Sequence, residues 1–242
     1  MKKVELVWKH PFSPYARINQ VPIDQIRQKL IEVFNKWGKA GCFRVDNGEP
    51  FGSPAGAPTP PLALWLIAHD IDLTWNKPYC PQMNNRVEKM QDTTQRWAEV
   101  QACRCLQELQ AKLDAQIHIQ RQLYPVTRLE GKTRAMAFPE LITKQRVFSS
   151  KDFDSKRVHE FIAKKIYTRK VSSVGQITHF GQTIRVGKEF AHQFVQLKFK
   201  PDTLKWQISN STQIIKNIAD NCLTDDRIKN MTVFSKQKNQ SN

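Results

Sequence analysis

Two carboxylates in this sequence stand where proteins build chemistry with divalent cations. Asp46 closes a short apolar run, Gly41-Cys42-Phe43-Arg44-Val45, and the turn residues Asn47-Gly48 follow it. Glu88 falls about one turn into a long helical pattern, after Asn84-Asn85-Arg86-Val87. An Asp at a strand end facing a Glu on a helix can hold metal for phosphoryl transfer. That reaction uses two ions about 4 Å apart, one activating the attacking hydroxyl and one stabilising the leaving oxygen. Mg²⁺ takes oxygen ligands in near-octahedral geometry, which Asp, Glu and water supply. Asp46 would lie at the carboxyl end of its strand, where open α/β sheets place their sites. Asn84 and Asn85 would hold the helix start, whose free amides favour phosphate. Each piece also has an ordinary structural reading. Asp-Asn-Gly is a common turn, and a Glu early in a helix suits the helix dipole.

The elements that must position these residues are legible from periodicity. Val4–Trp8 reads as a strand ending at Pro11-Phe12-Ser13-Pro14. From Ile23, apolar residues recur at helical spacing (Ile26, Leu30, Ile31, Val33, Phe34, Trp37) until Gly38 stops them. The run to Val45 is a short buried strand, followed by a Gly/Pro/Ala-rich loop from Phe51 to Pro61. Leu62–His69 reads as a helix, Ile71–Trp75 as a strand, and Asn85 to about Leu123 as one long helix with Trp97 in its core. This alternation predicts an α/β arrangement with parallel pairing. After Arg146 the period becomes two. Val195, Leu197 and Phe199 alternate with polar residues, as do Leu204, Trp206 and Ile208, and glycines punctuate two shorter strands around Ile177 and Ile184. That pattern predicts a small antiparallel barrel.

The 242 residues carry 38 Lys and Arg against 22 Asp and Glu, a formal charge of +16. Such an excess suits a polyanion, nucleic acid before an anionic membrane. No apolar stretch approaches about 18 residues, so a membrane span is not expected, and the N-terminus has no signal-peptide core. Between Arg146 and Asn210 there are 13 Lys and Arg against 5 Asp and Glu, a net of +8. Lys164, Lys165, Arg169 and Lys170 fall there and are candidate nucleic-acid contacts. Arg86, Lys89 and Arg96 cluster around Glu88; they either meet phosphates or form a solvated face. The five cysteines (Cys42, Cys80, Cys103, Cys105, Cys222) and the histidines His69, His118, His159 and His179 lack zinc spacing. They read as buried or incidental groups in a reducing cytoplasm.

The combined string is more specific than its parts: Asp46-Asn47-Gly48-Glu49-Pro50-Phe51, a helix, a strand, then Pro81 and Asn84-Asn85-Arg86-Val87-Glu88. It resembles the Asp-Asp-Glu transposases and retroviral-type integrases, in the insertion-sequence branch with an integrase-like core. The segment Tyr124–Leu141 resembles the stretch that closes such cores. The resemblance implies residues 1–145 as part of an RNase H-like catalytic core, 146–164 as a basic linker with a short helix, 165–234 as a DNA-binding β-barrel, and 235–242 as a frayed tail. It implies a protein of DNA integration and transposition, cutting and joining strands with two Mg²⁺ ions (Mn²⁺ as substitute) held in part by Asp46 and Glu88. DNA is the implied partner, with assembly of copies on transposon ends, in the cytoplasm or on a nucleoid. Two departures stand out. Asn85-Arg86 replaces the family's Asn-Gly or Asn-Pro, and the family's first Asp, on a central strand two strands before Val4–Trp8, has no counterpart. Glu5 sits on the wrong strand, and Asp24 reads as a helix cap. Asp92, one turn beyond Glu88, and Asp72 are the candidate substitutes. The expectation is an N-terminally truncated, inactive chain. The alternative is a non-catalytic basic DNA-binding protein.

Overall fold

The computed structural model describes residues 22–54, 56–77, 80, 82, 85–139 and 146–234. The Val4–Trp8 strand, Asn84, Pro81, the end of the 124–141 segment and the tail 235–242 fall outside these residues. In chain order the elements are α1 (Ile23–Trp37), β1 (Cys42–Val45), α2 (Pro61–Ala68), β2 (Asp72–Trp75), α3 (Asn85–Trp97), α4 (Leu106–His118) and α5 (Arg134–Ala137). Then come α6 (Ser155–Ala163), β3 (Ile166–Lys170), β4 (Gln176–His179), β5 (Gln182–Arg185), β6 (Phe194–Lys200), β7 (Lys205–Ser209), β8 (Ile214–Ala219) and α7 (Asp225–Lys229). They form two compact units that interleave along the chain: Met1–Arg44 with Asn76–Phe148, and Val45–Trp75 with Ser149–Asn242. The division does not fall at one chain position near residue 145. Among the described residues no helix is long and apolar enough to cross a membrane.

In the first unit, α1 buries Leu30 and Phe34 and ends at Gly38, whose amide donates to Phe34 O at 2.8 Å in a left-handed conformation (φ 86°). Phe34 packs against the rings of Phe43 and Phe148. Arg146 clamps the α1–β1 connection: its Nη1 donates to Ala40 O at 3.0 Å, and its carbonyl accepts from Lys39 N at 2.6 Å. The long helix expected from Asn85 to Leu123 is broken. Glu99 takes a left-handed conformation (φ 48°), Cys103 is buried between the two helices, and Cys105 is extended as the N-cap of α4. Ala98 and Cys103, on either side of the turn, are both buried. Beyond α4 the chain widens into a π-helical turn, Ile119–Leu123. There Gln120 Nε2 donates to Thr94 Oγ1 (2.9 Å), and the Arg121 guanidinium lies 3.6 Å from the Trp37 ring centre. Trp97, expected in the core, is 38% exposed and meets Tyr124 edge to face.

In the second unit, α2 is buried from Leu62 to Ala68. A helix of sequence PLALWLIA has no polar face, so it must be covered all round. Pro61 starts it where no intrahelical donor is needed. Its Ala68 carbonyl accepts from Asp154 N at 2.9 Å, and the Asp154 carboxylate caps α6 by accepting from Lys156 N at 2.9 Å. Asp70, just past the helix, pairs with Arg157 of α6. Leu64, Ile67 and Ala68 thus join one core with Val158 and Ile162 of α6, Tyr167, Val195, Leu197, Phe199, Trp206 and Ile208 of the sheet, and Ile228 of α7.

The sheet has four strands in the order β3-β6-β7-β8, and β4-β5 form a separate hairpin. Every pairing whose register is described is antiparallel. The parallel pairing expected from the alternation of elements does not appear in these ladders, and the expected barrel is not closed. β3 and β8 remain edge strands, because among the described residues β4 and β5 pair only with each other. The period-two reading is otherwise borne out: β6 alternates exposed and buried from Phe194 to Phe199. Asp220 locks the end of the sheet, accepting from Trp206 Nε1 (2.8 Å), Leu223 N (2.7 Å) and Cys222 N (3.2 Å).

Candidate functional site

Asp46 follows β1 directly. Its Oδ1 accepts from Gly48 N at 3.2 Å, so the Asp-Asn-Gly string folds as an Asx turn that draws the half-buried carboxylate back over its own backbone. The loop closes tightly. Gly52 N donates to Gly48 O at 2.8 Å, and a Cβ on Gly52 would sit 2.3 Å from the Asn47 carbonyl carbon. Only glycine fits there. Next, Trp75 of β2 donates its Nε1 to Phe51 O at 3.0 Å, and its ring stacks on Phe161 of α6 at 6.0 Å. The candidate metal loop is therefore anchored, through Phe51 and Trp75, to the helix that opens the C-terminal part of the second unit.

Lys165 lies at the other side of the same assembly. Its ammonium donates to Thr59 Oγ1 at 3.0 Å and stands 4.4 Å from the Phe161 ring centre and 5.3 Å from that of Trp75. Burial lowers its pKa from the ordinary lysine value. Arg169 is spent on protein acceptors: Gly56 O (2.8 Å), Thr168 O (2.8 Å), Thr178 O (3.2 Å) and His179 Nδ1 (3.3 Å). It ties the 51–60 loop to β3 and β4. Lys164 is exposed at the C-cap of α6, where a cation complements the helix dipole. Lys170 is exposed at the end of β3.

His179 is buried among Tyr167, Phe180 and Trp206, its ring 4.4 Å from that of Trp206. Burial, with the Arg169 charge second, holds its pKa down at about 3, so it stays neutral. Tyr167 is pushed up to about 12 by burial, with the nearby Thr59 hydroxyl and Arg169 charge pulling the other way. His159 also belongs to the core, its Nε2 bonded to Leu223 O at 2.9 Å.

The candidates on α3 belong to the first unit. Glu88 lies in the first turn of α3 and is exposed, as is Lys89, whose carbonyl accepts from Thr93 Oγ1. Arg86 lies in the same turn. Arg96 pairs with Asp92 at 2.9 Å, an exposed i,i+4 bridge. One candidate phosphate contact and one candidate substitute ligand are thus engaged with each other. Asp72 is exposed in β2 of the second unit. Asp46 and Glu88 offer the oxygen chemistry that Mg²⁺ accepts, but they are two carboxylates. Among the described residues no group of three or more His, Cys, Asp and Glu is placed to hold a metal ion.

Register and burial place Lys170, an expected contact, on the outer face of the four-stranded sheet with Lys198, Lys200 and Lys205, beside Gln196, Gln207 and the 65% exposed Phe194. Lys198, Lys200 and Lys205 are not among the sequence candidates; the signal for them is the polar half of the period-two alternation in β6 and β7. Lys200 stands directly opposite Lys205. Among the described residues none of the four lysines pairs with a carboxylate, and the face carries no acid. Compared with models of protein families, the chain matches none.

Proposed function

We propose that this chain is a DNA-binding protein of the transposase and integrase type, and that the open face of its four-stranded sheet lies against the phosphate backbone. The observation that carries the reading is the unpaired lysine face. Like charges directly opposite on neighbouring strands destabilise a sheet, so Lys200 facing Lys205 is a cost that an anionic partner relieves. Backbone phosphates spaced along a strand meet such a row of cations without reading sequence. Phe194 beside them gives an aromatic surface on which an unpaired base can stack.

The catalytic part of the reading rests on the resemblance. Asp46 and Glu88 would be metal ligands, and a bound Mg²⁺ would supply charge stabilisation for phosphoryl transfer. Two carboxylates leave a second ion unheld, because the bridging Asp of the family has no counterpart among residues 1–242. The function proposed for residues 1–242 is DNA binding. A second reading, a basic DNA-binding protein unrelated to transposition, shares the lysine face. It is separated by asking whether supplying the missing Asp-bearing strand confers cleavage that depends on Asp46 and Glu88.

Filter binding of the full chain to duplex DNA over a salt series tests the proposal. Affinity should fall linearly on a log–log plot, with a slope near −0.9 for each phosphate neutralised, about −3 to −4 for four lysines. Absent or salt-independent binding would overturn it.

A further inference from the structure

In the second unit a cleft of ≈ 360 Å³ opens beside Asn47, with Ser53, Thr59, Trp75, Lys165 and Tyr167 in its walls. Its electrostatics are incomplete. Lys165 carries its charge in a half-buried position, and among the described residues no carboxylate pairs with it. Charges taken out of water without a counter-ion are costly. The Phe161 and Trp75 rings and the Thr59 hydroxyl offset part of that cost. The Tyr167 hydroxyl is buried in the same region, next to the Thr59 hydroxyl that Lys165 also meets. The walls are already set. Gly52 leaves no slack against Asn47, and Trp75 is tied to Phe51 O at 3.0 Å. A preformed cleft with one uncompensated cation, hydroxyls and an amide suits a small tetrahedral anion, and lysine serves phosphate as a point charge.

We propose that this cleft is a phosphate-binding site that takes one phosphate of a nucleic-acid strand, with Lys165 supplying the charge and Thr59, Ser53 and Asn47 the polar surround. Lys165 precedes β3 and Lys170 ends it on the outer face, a rise of roughly 16 Å along the backbone. The inference rests on the DNA-binding reading above and adds to it a defined subsite next to the loop that carries Asp46.

The test is chemical protection in the unaltered full chain. Lysines are acylated at mildly alkaline pH with an N-hydroxysuccinimide ester. Each site is quantified by mass spectrometry alone, with a single-stranded oligonucleotide, and with inorganic phosphate. At a tenfold excess of oligonucleotide over its Kd, Lys165 should react roughly tenfold more slowly. Protection of Lys165 by inorganic phosphate as well would show that the cleft recognises phosphate itself; protection by the oligonucleotide alone would tie it to strand-borne phosphate. Both outcomes support the proposal. Protection by inorganic phosphate alone would overturn the nucleic-acid source. If Lys198 and Lys205 are protected while Lys165 is not, this inference fails and the lysine face stands. If Lys165 alone is protected, the cleft stands and the face fails. Protection of none removes both. As a second readout, Lys165→Gln should shallow the salt dependence by about 0.7–0.9 in log–log slope, while Lys165→Arg retains it. An unchanged slope in Lys165→Gln would overturn the assignment.

Discussion

His179 makes the stability of the second unit sensitive to acid in a way its core predicts. The ring is 3% exposed and held neutral with a pKa of about 3, against an ordinary value of 6.5, by burial first and the neighbouring Arg169 charge second. Tyr167, Phe180 and Trp206 surround it, and Arg169 is the charged group bonded to it. Between these two pKa values the unfolded chain binds a proton that the folded chain refuses. Stability therefore rises with pH in this window and is lost as pH falls below about 6.5. At 1.36 kcal/mol per pH unit, about 2–3 kcal/mol disappears between pH 7 and pH 4.5 from this group alone. His179→Phe keeps a ring of similar size and removes the linkage. At pH 7 it should be less stable by about 1 kcal/mol, through loss of the Arg169 bond. At pH 4.5 it should be more stable than the parent by roughly 1–2 kcal/mol, and the two curves should cross near pH 6. Urea unfolding followed by tryptophan fluorescence at a series of pH values reads this directly, since Trp206 lies against the ring. Parallel pH curves for the two proteins would refute a buried neutral His179.

Three further outcomes follow from the same geometry. Lys198→Gln and Lys205→Gln should each weaken binding to any duplex sequence alike and reduce the salt slope by about 0.9, measured by filter binding; sequence-dependent losses would argue for base contacts instead. Asp220→Ala should strand three donors and destabilise by roughly 2–4 kcal/mol in a urea titration, and a cost below about 1 kcal/mol would show that the carboxylate does not lock the sheet end. The 242-residue chain should neither nick nor join supercoiled plasmid with Mg²⁺ or Mn²⁺; nicking that is lost in Glu88→Ala would show that Asp92 or Asp72 completes a metal site.

What could be read ahead of the structure divides by range along the chain. α1, α2, β2 and the β6–β7 hairpin announce themselves through local period and turn chemistry, because the force that fixes them acts over a few residues. The break after Trp97 could not be read this way. No Gly or Pro marks the break: Glu99 takes the left-handed turn, and Ala98 and Cys103 on either side of it are buried. Arg169, by its basic stretch a candidate nucleic-acid contact, is engaged by the protein itself. Its acceptors come from Gly56, Thr178 and His179, up to 113 residues away, which no local pattern encodes. The Lys165 cleft is hidden for the same reason: Asn47, Thr59 and Trp75 meet it only once the chain has folded.

The interleaving of the units also decides which fragments can fold. A C-terminal piece beginning at Ser149 looks self-sufficient by periodicity, with its sheet, hairpin and two helices. Yet its core is completed by α2, whose Leu64 and Ile67 are 0% and 8% exposed within it. At about 1.5–3 kcal/mol for each buried aliphatic side chain, removing those two alone forfeits about 3–6 kcal/mol. That is comparable with the whole stability of a small domain, about 5–15 kcal/mol. The fragment would also lose the Ala68 carbonyl that accepts from Asp154 N, the Asp70 partner of Arg157, and the Gly56 acceptor of Arg169. Residues 149–242 expressed alone should therefore give broad, poorly cooperative urea unfolding and bind hydrophobic dye. Fusing residues 45–75 ahead of them through a flexible linker should restore a sharp transition. A sharp, dye-silent transition in the short fragment would show that α2 is a passenger on this core. Any measurement of DNA binding by the C-terminal region alone then has to carry residues 45–75 with it.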